Sequence, residues 1–454
     1  MSPRLALLTC TSLLCTTPVW AANTSPSTVT TSVTTVTSPT LVSPSQVATI
    51  STIVSGTADV STALPLLISN TPRTIENTLT LAGRHPEILT SQARVSEASG
   101  GVQSARGNRW FTVNGDAEAG GQYFNEPNNH GTEGVADLGL SLNQPLLDGG
   151  RRSGAVISAE ERFAGANNNL EWQKRLRRYT AAQAHINLWL AQELAANTAD
   201  NVNQLEQIVT EVHGRLSQGE ATVTEIAEAE SRLATAHAAQ AERMADLGNA
   251  QAAYLRDVGE PVVNVTSPGA GISSTESTME HPLIAAARHA VAEAAGQVRQ
   301  REAGYWPTLD LRGRASHDAY SGTSRTDPAT EGRLTLNLGY TFIDHGVVAG
   351  DTAAARAARK AAESELNNTQ LEVDAARLNA QSTLTEADRR LQESERAHTE
   401  STRVIKNLAQ EVKQGNRTLR DLLDARRDDY AAANAWAEAY ANRALATYDL
   451  ERWQ

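Results

Sequence analysis

The sequence contains two copies of one unit, and the copies align at a constant offset without a gap. His85-Pro86 recurs as His281-Pro282, which sets the offset at 281 − 85 = 196 residues. Self-similarity at a fixed spacing indicates two structural units of one kind that pack about a pseudo-symmetry axis. We therefore expect the function to arise from what both units build together. Other residues related by this offset are Trp110 and Trp306, Leu138 and Leu334, Asp148 and Asp344, and Gly219 and Gly415.

Residues 1–21 have the pattern of a secretory signal peptide, with a basic end, an apolar stretch and a small-residue cleavage site. Both cysteines, Cys10 and Cys15, lie inside this segment, so the exported chain would contain no disulfide and no cysteine-based metal site. A lipid-anchored form is the alternative. It requires a small residue before the modified cysteine, whereas Thr9 and Leu14 stand there.

Composition restricts the class of protein. The formal net charge of −12 argues against nucleic acid as a partner. Beyond the signal there is no run of 18 apolar residues, so the sequence predicts no membrane-spanning helix, and entry into a membrane would require a barrel. Aromatic residues make up only 4% of the chain, which is low for a packed enzyme and favours close helix packing through small side chains.

The period of the pattern divides the chain into segments. Residues 22–63 are rich in Thr and Ser and predict a tether without regular structure. Residues 64–258 form the first predicted repeat, 259–278 a linker, and 279–454 the second repeat. Each repeat is predicted to contain a helix, a hairpin, a long helix, a turn and a return helix.

The hairpins follow from apolar residues that alternate with polar ones, as at Leu334, Leu336 and Leu338. Their partner strands are predicted at about 110–124 and 306–320, with polar loops at 125–133 and 321–331. Four strands cannot close a barrel, and an open sheet edge cannot face lipid, so closure would have to come from oligomerisation. The alternative is a pair of hairpins in a soluble sandwich, whose core would lack aromatic filling.

The long helices are predicted from about 151 to 216 and from 347 to 412, because neither range contains proline. Asp148 and Asp344 precede them as capping residues, and Gly219 and Gly415 mark the turns that end them. Return helices are predicted at 222–258 and 418–453 with coiled-coil spacing. His85 is interpreted as a helix-entry residue, since its neighbours supply no second metal ligand.

Four motifs occur in order along the duplicated unit: the HPEI and HPLI helix openings, the SLNQPLLDGGRR corner, and the two turns LSQGEATVTEIAEAESRLA and VKQGNRTLRDLLDAR. Together they resemble the TolC-like outer membrane channels, which serve in efflux and in type I secretion. The resemblance covers about residues 70–453. The segment YLRDVG at 254–259 is more similar to the type I secretion branch than to the lipid-anchored drug-efflux branch.

The resemblance implies an α+β membrane protein with two tandem structural repeats. Three chains would form a trimeric 12-stranded β-barrel, with four strands per chain, continued by a long α-helical coiled-coil barrel that crosses the periplasm. It also implies a periplasmic gate near Gly219 and Gly415. The gate residues would be Arg417 and the inner-ring carboxylates Asp421 and Asp424. Arg417 would find its partners, Thr224 and Glu225, at the first turn.

The gate residues have a simpler interpretation as well. Arg417, Asp421 and Asp424 are spaced four and three apart, so on a helix they would share one face, which is commonly no more than a solvated face. In a trimer the two Asp positions would place six carboxylates around one axis. Such a ring is expected to bind cations or to have raised carboxylate pKa values, because like charges repel. Where some family members have a tyrosine at the constriction, this chain has Val412, so the gate would depend mainly on charge pairs.

The leading hypothesis is an outer membrane exit duct of a Gram-negative bacterium, extending into the periplasm. As a homotrimer it would work with a periplasmic adaptor and an inner membrane ABC or other transporter, and pass polypeptide or small molecules. Trp110 and Trp306 are either membrane-boundary aromatics or ordinary packing residues. The sequence predicts no catalytic residue, cofactor or metal site, which argues against a hydrolase. The alternative function is a structural or adhesive periplasmic coiled-coil protein without a pore.

Overall fold

The structure is a computed structural model that describes residues 72–126, 129–269, 280–321 and 329–454. The predicted signal peptide (1–21) and tether (22–63) lie outside these residues. So do residues 64–71 of the first predicted repeat and 270–278 of the predicted linker.

The elements follow one another in the same order in both halves of the chain. The first half contains α1 (Ile75–Ala82), α2 (Pro86–Gly107), β1 (Thr112–Glu126), β2 (Asn129–Leu147), α3 (Arg151–Ser217) and α4 (Val223–Val258). The second half contains α5 (Pro282–Glu302), a short 3-10 turn (Ala303–Tyr305), β3 (Thr308–Ser321), β4 (Ala329–Gly339), α6 (Val347–Lys413) and α7 (Leu419–Trp453).

The helices begin and end close to the positions that the sequence predicts. Helices α3 and α6 each contain 67 residues and would extend roughly 100 Å. Each begins after a glycine with positive φ, and the carboxylate of Asp148 or Asp344 accepts hydrogen bonds from the N–H groups of the first turn. Helix α1 is a difference from the prediction, because the chain breaks at Gly83 and starts a separate helix at Pro86.

No helix in the described ranges has the length and the apolar character that crossing a membrane requires.

The four strands form one antiparallel sheet in the order β1-β2-β3-β4. Strand β2 of the first half pairs with β3 of the second, so the sheet joins the two repeats. The predicted loop at 125–133 is wrong, because pairing of β1 with β2 continues to Glu126 and Asn129. Strand β4 likewise begins at Ala329, inside the predicted loop at 321–331. The polar composition of these segments predicted loops. The strands nevertheless continue there, because the hydrogen bonds between paired strands are formed by the backbone and do not depend on side-chain polarity.

The sheet has one apolar and one polar face. Directly paired residues share a face, and the register places Leu140 beside Gly115 and Ala315, and Leu336 beside Leu311. Five leucines of this face are exposed in the single chain: Leu138, Leu140, Leu334, Leu336 and Leu338. Residues on the opposite face are mostly polar or charged, among them Asn114, Asp116, Ser141, Arg312 and Arg314.

The buried side chains form two clusters along the helices. One surrounds Ile186, Leu188 and Tyr254 near the middle of α3, and includes residues of the linker such as Val262 and Val265. The other lies near the turns at Gly219 and Gly415 and joins α3, α4 and α7. The linker is tied to the start of the described chain, because Arg73 and Val265 form a parallel β-bridge.

Candidate functional site

The candidate site is the tip, which we define as the two turns at 217–222 and 413–418 with the first three turns of α4 and α7. Gly219 and Gly415 lie in these turns with φ of 77° and 75°, a conformation that glycine adopts without a Cβ penalty. The turns close in the same way, since the N–H of Glu220 donates to the carbonyl of Arg215 and that of Asn416 to Glu411. The chain therefore reverses direction twice at one end of the helical region.

Capping boxes begin both return helices. The Thr222 hydroxyl accepts from the N–H of Glu225, and the Glu225 carboxylate accepts from the N–H of Thr222 at 2.7 Å. Thr418 and Asp421 form the equivalent pair. The hydrogen bonds from the backbone and hydroxyl of each threonine lower the pKa of its acidic partner, Glu225 or Asp421. In the single chain both carboxylates thus stabilise a helix N-terminus.

The predicted common face of Arg417, Asp421 and Asp424 is wrong for Arg417. Helix α7 begins at Leu419 with Thr418 as its N-cap, so Arg417 precedes the helix and has no helical register with the two aspartates. Within one chain its guanidinium lies 3.4 Å from the carboxylate of Glu411, across the turn. The Glu225 carboxylate accepts a hydrogen bond from Thr222, the N-cap of its own helix, and among the described residues no ion pair joins Glu225 to Arg417.

Two ion pairs join α4 to α7 across the repeats. The Arg232 guanidinium lies 3.0 Å from the carboxylate of Asp424, and that of Arg420 lies 3.2 Å from Glu228. We call these four residues the latch. Arg232, Arg420 and Glu228 were not predicted as site residues, although Glu228 and Arg232 on α4 and Arg420 and Asp424 on α7 are each spaced by four. An acid followed by a base on one helix, and a base followed by an acid on the other, indicate that the two helices can face each other.

An apolar cluster supports the latch, and the two repeats contribute to it unequally. Leu419 and Leu423 of α7 pack with Ile226 of α4 and with residues of α3. Leu419 is 7% exposed, whereas its equivalent in the first repeat, Val223, is 74% exposed. Thr224, which follows Val223, is also exposed. The first turn of α4 therefore presents an apolar side chain to the surroundings at the end of the molecule.

Trp110 and Trp306 lie at equivalent junctions between a helix and a strand, at the opposite end of the helices from the tip. Their side chains are 70% and 64% exposed in the single chain. The Cβ of Trp306 approaches Gly149 so closely that a side chain at Gly149 would meet it at 2.7 Å. The rings themselves are thus available to the surroundings, while the backbone beneath one of them is tightly packed.

Comparison with known proteins gives consistent matches. The profile described as outer membrane efflux protein matches twice, over residues 80–257 and 275–453. The outer membrane efflux protein BepC of Brucella suis biovar 1 (strain 1330) is 27% identical over 329 residues, covering 69% of this chain and 70% of BepC.

The solved structures agree in fold. The structure of CusC, described in terms of folding and transmembrane channel formation, has a TM-score of 0.75 at 15% identity and covers 85% of this chain and 95% of CusC. The outer membrane protein VceC from Vibrio cholerae has a TM-score of 0.71 at 17% identity, with coverages of 84% and 95%. These similarities confirm the fold class predicted from the sequence: an α+β membrane protein of two tandem repeats, with four barrel strands per chain and a long helical region.

Proposed function

The chain belongs to the outer membrane efflux protein family, and from that premise we propose that its tip is a regulated gate of a trimeric exit duct. The gate would consist of the latch and of the residues at the turns. Opening would connect a transporter in the inner membrane with the outside of the cell.

The coarse function follows from the family. The protein is located in the outer membrane and extends into the periplasm as an exit duct for efflux or secretion. Its relatives are channels and not enzymes. Outer membrane efflux channels are homotrimers that work with adaptor proteins and inner membrane transporters. This relationship favours a duct over an adhesive coiled-coil protein.

The shape of the sheet supports assembly around a common axis. Strands β1 and β4 are its two edges, and one face carries exposed leucines along its length. In the proposed trimer each edge pairs with that of a neighbouring subunit, which satisfies backbone groups that lipid cannot. The repeats at 64–258 and 279–454, joined by residues 259–278, then supply two strands each. Trp110 and Trp306 would lie at the boundary between membrane and periplasm, which suits amphipathic rings.

The single observation that carries the gate is the latch. It joins the return helices of two different repeats near the tip, so separating α4 from α7 requires breaking it. The pairs are partly exposed, and each is worth about 0–1 kcal/mol. With three chains the latch would bias the closed state by a few kcal/mol, which changes the open fraction by one or two orders of magnitude.

Asp421 and Asp424 have a second proposed role. Three chains would bring both positions around the axis at the narrow end of the duct, where carboxylates favour cations. Within one chain Asp421 is also a helix cap and Asp424 belongs to the latch. Neutralising either aspartate therefore changes more than the charge of the ring. Arg417 and Glu225, which are committed to other partners in the single chain, would contact neighbouring subunits only after assembly.

The cargo is proposed from two sources. The segment at 254–259 resembles the type I secretion branch, which would pass an unfolded polypeptide from an ABC transporter through an adaptor. The name of BepC, an outer membrane efflux protein, favours a second candidate, the efflux of small molecules. Both require the same wide, regulated duct. The exposed Val223 at the tip fits the docking of an apolar adaptor surface.

Single-channel recording in a planar bilayer tests the gate. Removing the latch with Arg232→Gln and Arg420→Gln is expected to raise the open fraction by tenfold or more, because both substitutions remove charge without touching the helix caps. Arg417→Ser and Glu225→Ala are expected to act in the same direction. Asp421→Ala with Asp424→Ala is expected to lower the preference for cations and, because Asp424 belongs to the latch, also to raise the open fraction.

The matched control is Arg389→Gln, since Arg389 pairs with Glu386 of the same helix and joins no two elements. Its open fraction should equal that of the wild type. If the latch variant and the control behave alike, the gate proposal is wrong even though a pore exists.

A further inference from the structure

The polar face of the sheet is sorted by charge along its strands. Because paired residues share a face, the register allows each row across the sheet to be identified. One row contains Asn114, Ser141, Arg314 and Arg333, in the order β1 to β4. Its members supply two guanidinium groups, an amide and a hydroxyl, but no carboxylate. The neighbouring row toward the helices contributes Arg312.

The rows farther from the helices are acidic. The next row carries Asp116 and Glu331, and the one beyond it carries Glu118, Asp137 and Asp318. Rows on one face are about 7 Å apart along the strands. Since β1 starts and β4 ends at the helical region, the basic rows lie nearer the periplasm and these acidic rows nearer the outside, while Asp310 adds one carboxylate on the helix side of Arg312.

Pairing offsets the charge of the basic row only in part. Arg314 and Arg333 are direct cross-strand partners, and like charges in that position are destabilising. Arg314 lies 3.8 Å from the carboxylate of Asp137, beyond hydrogen-bond distance. Among the described residues no carboxylate lies within 4.0 Å of the guanidinium of Arg333. Arg312 is paired to a similar extent, since it lies 3.7 Å from Asp310 of its own strand.

In the trimer this face lines the lumen, since the leucine face must contact lipid. Twelve strands tilted by about 40° form a barrel whose wall lies about 12 Å from its axis. The Debye length in physiological salt is about 8 Å. An arginine that projects inward from the wall by more than about 4 Å therefore acts on the whole cross-section. Arg314 and Arg333 would occur six times around the axis.

We propose that the lumen is bipolar: a ring of Arg314 and Arg333 at its periplasmic half attracts anionic groups, and an acidic ring at its outer half attracts cations. This inference rests on the proposed trimeric duct and goes beyond the gate at the tip. Guanidinium groups bind carboxylate and phosphate oxygens with two parallel hydrogen bonds. The periplasmic ring thus favours cargo that carries carboxylate or phosphate groups, whether on a polypeptide or on a small molecule.

The test is the reversal potential of the full-length trimer in a KCl gradient, measured in the wild type and in the Arg232→Gln/Arg420→Gln background. A ring that changes the energy of a unit charge by about kT favours chloride about threefold and disfavours potassium about threefold, so it changes their permeability ratio about sevenfold. Arg314→Gln with Arg333→Gln should therefore lower the ratio of chloride to potassium about sevenfold. Asp318→Asn with Glu331→Gln should raise it.

Two variants serve as controls. Arg314→Lys with Arg333→Lys keeps the charge and should keep the ratio, which separates charge from misfolding. Arg312→Gln should have a smaller effect because it removes one positive charge per chain instead of two. An unchanged ratio in assembled Arg314→Gln/Arg333→Gln trimers that conduct would overturn the bipolar lumen and leave the duct intact. Assembled trimers that never conduct would instead overturn the proposed duct.

Discussion

Helices α3 and α6 occupy equivalent positions in the two repeats, but α3 buries many more residues than α6. Both contain 67 residues and both follow a left-handed glycine and a capping aspartate. Helix α3 packs against α1, α2, α4, α5 and α7, whereas α6 packs mainly against α5 and α7. The residues that α6 buries are few: Thr352, Val373, Ala380, Ala387 and Ile405.

The difference shows that the repeat determines the local structure, while the neighbours of an element determine its burial. Leu371 and Leu378 of α6 are largely exposed, and the residue equivalent to Leu378 is Ala182, which is fully buried in α3. An exposed apolar residue seven positions from another on a long helix is typical of a helix that packs against a second one. We infer that α6 completes its packing against a neighbouring subunit, in the way α3 packs within the chain.

The largest expected effect comes from two glycine substitutions that distinguish folding of the chain from assembly of the trimer. A Cβ at Gly154 of α3 would meet the carbonyl oxygen of Gly296 at 2.7 Å, but at Gly350, the equivalent residue of α6, it would meet nothing within 4 Å. Gly154→Leu should therefore lower the stability of the chain by about 3 kcal/mol. Gly350→Leu should leave the chain folded and weaken the trimer, because Gly350 is open in the single chain and lies on α6, which we infer to pack against a neighbouring subunit. Thermal unfolding and subunit cross-linking in detergent measure the two effects.

Gly214→Ala is the control for both, because a Cβ there also meets nothing within 4 Å in the chain. It should be neutral or should stabilise α3 by up to about 1 kcal/mol. Equal loss of folded chain in Gly154→Leu and Gly350→Leu would contradict the comparison.

A smaller effect is expected at the tip. Leu419→Ala removes a buried side chain and should cost about 2 kcal/mol, at the low end for leucine because the end of the molecule can relax. Val223→Ala, the equivalent change in the first repeat, should change stability by less than about 0.5 kcal/mol. Urea unfolding followed by tryptophan fluorescence compares the two. A similar loss in both would show that Val223 is buried in the assembled protein.

The smallest expected effect concerns pH. His281 is the N-cap of α5 and its ring packs against Trp172 and Trp453, and burial lowers its pKa to about 4. In the unfolded chain histidine has a pKa of about 6.5, so the unfolded state binds the proton first as the pH falls. Stability should therefore decrease from pH 6.5 toward pH 4, by about 1 kcal/mol at pH 5.5 from this residue.

His281→Asn keeps a capping side chain and should remove this part of the pH dependence. His85→Asn is the matched variant in the first repeat, where the ring is less buried. Thermal unfolding at pH 7.5 and pH 5.5 compares both with the wild type. The interpretation fails if the His281→Asn protein loses as much stability at pH 5.5 as the wild type does.

Prediction from the sequence succeeded where one residue type has one local consequence. Pro86 and His85 mark the start of α2, and the left-handed turns at Gly219 and Gly415 end the long helices within one or two residues of the predicted positions. It failed at Arg417, because Thr418 acts as the N-cap and places Arg417 outside the helix. It also missed the latch, since Arg232 and Asp424 are 192 residues apart and meet only through the packing of α4 on α7.

The sequence by itself determined the duplicated unit, the order of its elements and the two faces of its strands, because periodicity, capping and turn residues act over a few positions. Only the tertiary structure decided the pairing of β2 with β3, the latch and the unequal burial of α3 and α6. These depend on contacts between residues far apart in the chain. They also depend on the neighbours available to each element, and two segments at equivalent positions of the repeat can differ in both.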